Sequence, residues 1–547
     1  MADITISKKN ETYISIEGEQ YILQELQDCF TFYADGYKYH PSFRAKHWDG
    51  KIRILRLVSR QRGELYLGLA EQVVQFCKSR GYSYSIDKSM MMERFSEEEI
   101  DEFLSNINLP FELRDYQISG FKDVIQKRRQ LLISPTSSGK SATIYLITKF
   151  LESKGLRGLI IVPNLTLIHQ LYTNFEEYSI NNKWNFKIHK IYSGQDKDPA
   201  IVIILEENNK IHTYKGSDGV RVLNSKLPFK QAKDLSKSDV LVGNITIKKI
   251  KIESPSILLS TWQSLNQIKD KSYYQQFDYV IVDEAHQAKS KSITDIMEKC
   301  INSSFKTGLT GTLDGLKVNE KTLIGLFGPV NKLISTKELM DRKQVANFKI
   351  ECLVLKYDKP VAKIIKNYKY QEEIKFLITN NNRNIFIKNL ALSLKKNTII
   401  LFNYVDSHGR ILYELLNNSK HKGNRNIYFI HGGVDSEERE RIRKIIETEE
   451  DAIIVASVGT MSTGTSINNL YNIIFASPAK SRIRNLQSIG RVLRLHDEDK
   501  LATLFDIVDN LEYGKHKNFS LQHFFERIKI YDGEQFNYRI KSINFTS

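Results

Sequence analysis

Cysteine is scarce in this chain, with only Cys29, Cys77, Cys300 and Cys352 among 547 residues. They lie far apart and form no C-x-x-C pair, which argues against a zinc knuckle, a dithiol redox centre or a disulfide framework. The thiols read as reduced packing residues. Long apolar runs are missing as well. None approaches the roughly 18 residues needed to span a bilayer, and the N-terminus has no apolar signal region. A soluble, non-exported, cytoplasmic protein with no membrane partner is expected. Acidic residues are the minority charge, 64 against 80 Lys and Arg, giving +16 and a pI near 9.3. Such a surplus points to a polyanionic partner, most simply nucleic acid. A Lys- and Asn-rich sequence from an AT-biased genome would give the same numbers.

What is present is a globular composition, 41% hydrophobic and 10% aromatic, in a chain too long for one core. Residues 1–105 read as a small N-terminal α+β domain. Thr12–Ile16 alternates, and Tyr21–Phe32 is amphipathic. From Tyr37 to Arg62 there are eight Lys or Arg residues against the single acid Asp49, with Tyr37, Tyr39, Phe43 and Trp48 interleaved. Basic side chains can track a phosphate backbone while aromatic faces meet bases or sugars. Lys46, Trp48 and Arg53 are therefore candidate nucleic-acid contacts. The alternative is a small aromatic core with a solvated basic face.

Residues 106–340 alternate apolar runs with helical stretches. The runs are Leu131–Ile133, Gly158–Val162, Ser256–Leu259, Tyr279–Val282 and Gly308–Leu309. Residues 341–512 repeat the pattern at Asn397–Phe402, Ile427–Ile430, Ala452–Ala456, Ile473–Ala476 and Ala502–Ile507. Two parallel sheets wound with helices are expected in tandem, with a cleft between them. Residues 513–547 look like a short helical tail. Residues 195–253 interrupt the first sheet and read as a β-rich insertion. Within it, Ala232–Val242 resembles a piece of intein-like modules. The insertion lacks both a nucleophilic Cys at its start and a His-Asn pair at its end. An inert or partner-binding decoration is expected there.

Four segments carry chemistry. Ser134-Pro-Thr-Ser-Ser-Gly-Lys-Ser141 joins an apolar run to a helix-compatible stretch, the setting of a phosphate loop. Backbone N–H groups of Pro135–Ser141 (Pro135 itself excepted) and the helix N-terminus can face phosphate oxygens. Lys140 would reach the β- and γ-phosphates, and the Ser141 hydroxyl would hold Mg²⁺. The alternative is an ordinary strand–turn–helix junction. Asp283-Glu-Ala-His286 ends an apolar run, so a strand delivers Asp283 to Mg²⁺ and Glu284 to an attacking water. Leu309-Thr-Gly-Thr312 follows another run. Arg491 and Arg494, three apart in Gln487–Arg494, could stabilise charge on a transferring phosphoryl group; alone they could be a surface pair.

The set Gln117, SPTSSGKS, IIVPNLTLIHQL, STWQSL, DEAH, LTGT, FIHGGV, VASVGTMSTGTSI and QSIGRVLR resembles the superfamily 2 helicases. The strings Tyr33-Ala-Asp-Gly-Tyr37, His47–Arg53 and Phe525–Tyr531 resemble the ends of the UvsW-type helicases of T-even bacteriophages. The likeness covers nearly the whole chain outside the insertion. It implies two RecA-like domains, ATP and Mg²⁺ as cofactors, and DNA as partner. The substrates it implies are branched or forked duplexes, single strands and RNA–DNA hybrids, within phage recombination, replication and repair. Phage recombination and replication proteins and a host-cytoplasm location follow from the same likeness.

Residue by residue, the resemblance gives Arg114 and Gln117 an adenine-side role, and Pro135, Thr136, Ser137, Ser138, Gly139, Lys140, Ser141 and Gly464 nucleotide contacts. Asp283, Glu284, Gln487, Arg491 and Arg494 join Lys140 as catalytic candidates. Pro163, Asn164, Thr261, Trp262, Gln263, His431, Gly432 and Ser457 are implied strand contacts, with Phe402–Tyr404. His286, Thr310 and Thr312 would couple hydrolysis to strand movement. Two departures stand out: Ser134 replaces the leading loop Gly, and Thr465 stands where an aliphatic residue is expected. Three rivals remain: an RNA helicase, a restriction-system motor, and an annealing protein with a vestigial ATPase. The short tail argues against the first. The lack of a convincing nuclease domain argues against the second, and filled ATPase positions argue against the third.

Overall fold

The computed structural model describes residues 2–92, 94–181, 188–191, 202–207, 210–214, 219–221, 229–231, 240–241, 245–246, 250–253, 256–286, 291–313, 315–462, 469–477 and 501–546. Two compact units divide the chain. One holds Met1–Leu132, Ser141–Thr310 and Gly315–Asn331, the other Ile133–Lys140, Gly311–Asp314 and Lys332–Ser547.

The N-terminal strands are Ile4–Lys8 (β1), Tyr13–Gly18 (β2), Thr31–Tyr33 (β3), Lys51–Arg53 (β4), Arg56–Ser59 (β5), Arg62–Tyr66 (β6) and Tyr84–Ile86 (β7). Five of them form one sheet in the order β5-β6-β2-β1-β7, and β3 pairs antiparallel with β4 beside it. Alternation does the work here. Ile4, Ile6, Ile14 and Ile16 point to one face and are buried, where they meet Ile22, Leu23 and Leu26 of the helix Gln20–Cys29.

The first large sheet uses Arg129–Ile133 (β8), Gly158–Val162 (β9), Ile188–Ile191 (β10), Ile257–Thr261 (β11), Tyr279–Asp283 (β12), Phe305–Thr310 (β13) and Val330–Lys332 (β14). Its order is β10-β11-β9-β12-β13-β8-β14. The ladders from β10 through β13 are parallel. Lys306 N donates to Arg128 O where β13 and β8 both begin, so these two strands also run the same way. β9 and β11 are buried at every residue. A strand covered by helices on both faces must read as a continuous apolar run, which is why these were visible in the sequence.

The second sheet uses Asn347–Tyr357 (β15), Thr398–Phe402 (β16), Ile427–Ile430 (β17), Ile453–Ser457 (β18), Asn472–Phe475 (β19), Leu501–Asn510 (β20) and Asn537–Phe545 (β21). Its order is β17-β18-β16-β19-β20-β15-β21, all parallel. The tail contains the expected helix, Phe519–Gly533, but then adds β21 to the sheet edge. A strand whose residues are mostly exposed carries no apolar run, so the sequence hid it. The described strands of the insertion are all β. Val202–Glu207 pairs antiparallel with Lys210–Tyr214 and with Ile250–Glu253. Among the described residues no helix is long and apolar enough to cross a membrane.

Within the first unit, the N-terminal region is fastened to the amino ends of β8 and β13 by a buried polar cluster. Lys306 Nζ donates to Thr12 Oγ1 at 2.7 Å and to Met297 O at 3.2 Å. Arg129 donates to the Glu11 carbonyl and lies 3.2 Å from its carboxylate. Tyr66 donates to Glu298 at 2.6 Å. Burial, then the neighbouring Arg129 charge, lowers the Lys306 pKa to about 7. A base whose folded pKa lies below its unfolded one makes folding release protons. Stability should therefore rise between about pH 7 and pH 10 and level off below about pH 7, where both states carry the proton. Lys306→Met should flatten the rise in urea midpoint between pH 7 and pH 9. An identical slope in the variant would mean that Lys306 keeps its proton throughout.

Candidate functional site

Apart from Arg114 and Gln117, the elements of the candidate site leave a carboxyl edge. From β8 the chain enters the turn Ser134–Gly139 and then the helix Lys140–Ser153. Ser137 and Gly139 have φ of +70° and +81°, which curl the backbone around a small concavity. Ser134 has no such φ, so the position does not demand glycine. Its hydroxyl lies 2.6 Å from that of Ser138, and Ser138 donates onward to Pro135 O at 2.7 Å. Lys140 Nζ folds back to Ser134 O at 3.4 Å. A Cβ placed on Gly311 would stand 3.8 Å from that ammonium, so the turn after β13 lies against the loop.

β12 ends at Asp283, whose Oδ1 accepts from Glu284 N at 2.9 Å. Glu284 adopts φ +52°, unusual for a residue with a side chain and a mark of a tightly specified turn. His286 is buried. Its Nδ1 lies 3.3 Å from Glu284 Oε2 and 2.9 Å from Thr310 Oγ1, at the end of β13. One imidazole therefore touches both the acidic turn and the neighbouring strand. Thr310 and Thr312 are buried, and Thr312 donates to Leu313 O at 3.1 Å. Gln117 is buried in the first turn of the helix Asp115–Lys127, where its side-chain oxygen accepts from Arg114 N at 2.9 Å. Arg114 in turn donates to the Tyr116 hydroxyl at 2.7 Å.

The described candidate residues at the ends of β9 and β11 are uncharged. Pro163 and Asn164 follow β9. Asn164 caps the helix Leu165–Tyr178, accepting from Leu167 N at 3.0 Å. Thr261 ends β11 and caps the short helix Trp262–Leu265. Gln263 crosses between the two, donating to Pro163 O at 3.2 Å. Caps of this kind leave backbone N–H groups at helix starts facing outward, where they suit phosphate oxygens.

In the second sheet, Phe402–Tyr404, His431–Gly432 and Ser457 lie at the ends of the adjacent strands β16, β17 and β18. Ser457 Oγ accepts from Thr460 N at 3.3 Å and lies 2.7 Å from the Thr460 hydroxyl. Gly433 N donates to His431 Nδ1 at 3.1 Å. Asn403 N donates to Ser477 Oγ at 3.2 Å, and His408 Nδ1 lies 3.0 Å from the same oxygen. Burial pulls the His408 pKa down to about 3, so this ring is a neutral core group. Sequence reasoning missed both Ser477 and His408, since neither stands in a recognisable pattern. Gly464, Thr465, Gln487, Arg491 and Arg494 lie outside the described residues.

Comparisons with known proteins bear on the family. Residues 3–87 match the family described as "DNA helicase UvsW, N-terminal". Residues 110–315 match "Type III restriction enzyme, res subunit", and residues 381–496 match "Helicase conserved C-terminal domain". The chain is 32% identical to the ATP-dependent DNA helicase uvsW of Enterobacteria phage T4, across 99% of this chain and all of that protein. The chain belongs to the UvsW family of helicases. Two further likenesses extend over most of the chain. The DNA 3'-5' translocase XPB2 of Sulfurisphaera tokodaii is 24% identical over 73% of this chain and 81% of its own. An HsdR fragment of a type I restriction enzyme from Vibrio vulnificus shares the fold, with a TM-score of 0.52 at 15% identity, covering 87% of this chain and 74% of that one.

The strict phosphate-loop pattern begins with Gly, and the Ser134–Ser138 contact shows how a serine is accommodated there. One neutral hydrogen bond is worth about 1 kcal/mol. Ser134→Gly should therefore cost little stability and change ATP turnover by less than about tenfold. A steady-state ATPase assay checks this, and a larger loss would mean that the hydroxyl itself meets the nucleotide.

Proposed function

We propose that this chain is an ATP-dependent DNA helicase and translocase acting on branched DNA: stalled forks, Holliday junctions and R-loops. Fork regression, branch migration and strand annealing would be its activities, in phage recombination, replication and repair. One observation carries the reading. The loop carrying Lys140, the acidic turn and the Thr310 turn leave β8, β12 and β13, and the first-sheet strand-contact candidates leave β9 and β11, all on one edge of one sheet. The T4 relative, an ATP-dependent DNA helicase, supports the helicase part of this reading.

In this reading the loop N–H groups and Lys140 hold the triphosphate. Gln117 and Arg114 lie on the adenine side. Glu284 orients the attacking water and receives its proton. The donor set suits Mg²⁺, which prefers a few hard oxygens plus substrate phosphates: Ser141 offers a hydroxyl and Asp283 a carboxylate. Among the described residues no cluster of three or more His, Cys, Asp or Glu could hold a metal by itself, so an ion here would lean on phosphate oxygens. Bound Mg²⁺ would neutralise charge on the transferring phosphoryl group. Arg491 and Arg494 would add positive charge as it is transferred. His286, by touching both Glu284 and Thr310, would carry the change at the phosphate to β13 and Thr312. Pro163, Asn164, Thr261, Trp262 and Gln263, with His431, Gly432 and Ser457, would hold the strand backbone.

Two experiments test this. Lys140→Ala should abolish ATP turnover while retaining DNA binding, and unwinding of a panel of synthetic forks, junctions and R-loops should be ATP-driven and exceed that of RNA duplexes. Near wild-type turnover in the variant, or a preference for RNA duplex, refutes the assignment. Separately, replacing Arg491 or Arg494 with Ala should lower kcat by about 10³-fold or more if either is a finger. Losses below about tenfold at both positions would return them to structural roles.

A further inference from the structure

The basic, aromatic stretch Tyr37–Arg62 folds into an outlying feature of the N-terminal region: the β3–β4 ladder, a single turn Tyr37–Tyr39 and the short helix Pro41–Arg44. Its aromatic rings divide into two groups. Phe43 and Tyr37 are half-buried and meet edge to face, with centroids 4.9 Å apart. Gly50, at φ +76°, lets the chain pass so closely that a Cβ there would strike the Tyr37 ring at 2.4 Å. Trp48 is half-buried, its indole N–H donates to Lys51 O at 3.0 Å, and its ring meets His40. These rings build the feature.

Tyr39 and Tyr33 do not. Tyr39 is 77% exposed and Tyr33 is 56% exposed. Tyr33 lies parallel to Tyr37, with centroids 4.6 Å apart, so its outer face extends a stack already begun. Each exposed ring has a cation over it: Arg44 is 6.0 Å from the Tyr39 centroid, and Lys51 is 5.6 Å from that of Tyr33. Lys38 and Lys46 are exposed in the same stretch. Arg53 is already paired with Asp49 at 2.5 Å, which leaves the lysines as the more available phosphate partners.

Exposed rings accompanied by cations meet the requirements for holding unpaired nucleotides. Stacking is indifferent to base identity, and the cations neutralise the flanking phosphates. A closed duplex buries its base faces in its own stack and offers only backbone. We propose that Tyr39 and Tyr33 form a stacking platform for unpaired DNA bases, so that this feature selects the opened strand at a branch rather than duplex backbone. The inference rests on the branched-DNA reading above and adds to it the chemistry of recognition and the residues responsible.

The test uses the full chain and two DNAs of equal length. One is a fork carrying 2-aminopurine in an unpaired arm, the other a blunt duplex. Tyr39→Ala, alone and with Tyr33→Ala, should weaken fork binding by about tenfold or more and abolish the change in 2-aminopurine fluorescence. Duplex affinity should stay within about twofold. Tyr→Phe at both positions keeps the ring faces and should restore fork binding, which separates stacking from misfolding. Equal losses on fork and duplex, or no loss on the fork, overturn the proposal. Lys46→Ala with Arg53→Ala tests the underlying contact separately. Its salt dependence should flatten on both DNAs, by about one unit of slope per lost phosphate contact. If that slope holds, the stretch does not touch DNA and the platform falls with it. If it flattens while the tyrosine variants bind normally, stacking alone is wrong.

Discussion

A strand buried on both faces cannot carry chemistry along its length, and that constraint organises this molecule. β9 and β11 are buried from end to end, so polar side chains can appear only where the strands stop. Because β9 through β13 run parallel, their stops fall on one edge. Asp283, Thr310, Pro163 and Thr261 each stand at or just past the last residue of a strand. The same edge is where open parallel sheets bind ligands. Function is crowded there because burial excludes it elsewhere.

The second sheet breaks the rule in an informative way. β20 carries two fully buried aspartates, each paired with a buried arginine. Asp509 meets Arg383 at 2.8 Å, and Asp506 meets Arg527 at 2.8 Å. Tyr357 and Tyr531 add hydroxyl contacts at 2.9 Å each. Two buried ions gain little net stability over apolar packing, but removing one partner of such a pair typically costs about 3–5 kcal/mol. Their geometric consequence is clearer. Arg527 ties the tail helix to the middle of the sheet. Arg383 ties the helix Asn381–Ser393 to β20 and donates to Ala476 O at 2.9 Å, just past β19. The next residue, Ser477, accepts from Asn403 past β16. A chain of specific polar contacts thus fixes how the backbone leaves two adjacent strands, a task that apolar packing, being non-directional, does poorly.

Such features show where sequence reasoning reaches its limit. The apolar runs of both sheets were legible because two-sided burial leaves no room for polar residues. β15 was not, although it pairs on both sides. Its sequence Asn-Phe-Lys-Ile-Glu-Cys-Leu-Val-Leu-Lys-Tyr is broken by charge, and the charge is tolerated because Lys541 of β21 meets Glu351 at 2.8 Å. That compensation comes from a strand almost two hundred residues away, and no local pattern reports it. The loop Ser134–Ser141 was legible from small residues ahead of Gly-Lys-Ser. That its leading serine needs no left-handed backbone was not, since φ is a property of the folded turn. In the N-terminal stretch, sequence supplied the mixture of rings and cations. Only the fold divides Trp48, held within the feature, from Tyr39, held away from it.

The placement of His286 shows why one edge matters for a motor. Its ring bonds Thr310 and sits beside Glu284, so the acidic turn and the end of the next strand share one side chain. β13, which receives that contact, is anchored at its other end by Lys306 in the buried polar cluster with Thr12. A strand pinned at its amino end cannot slide as a whole. Beyond the strand the backbone continues into Gly311 and Thr312, and a Cβ on Gly311 would stand 3.8 Å from the Lys140 ammonium. The contact between His286 and Thr310 is thus made at one end of a strand whose other end is held in the buried polar cluster.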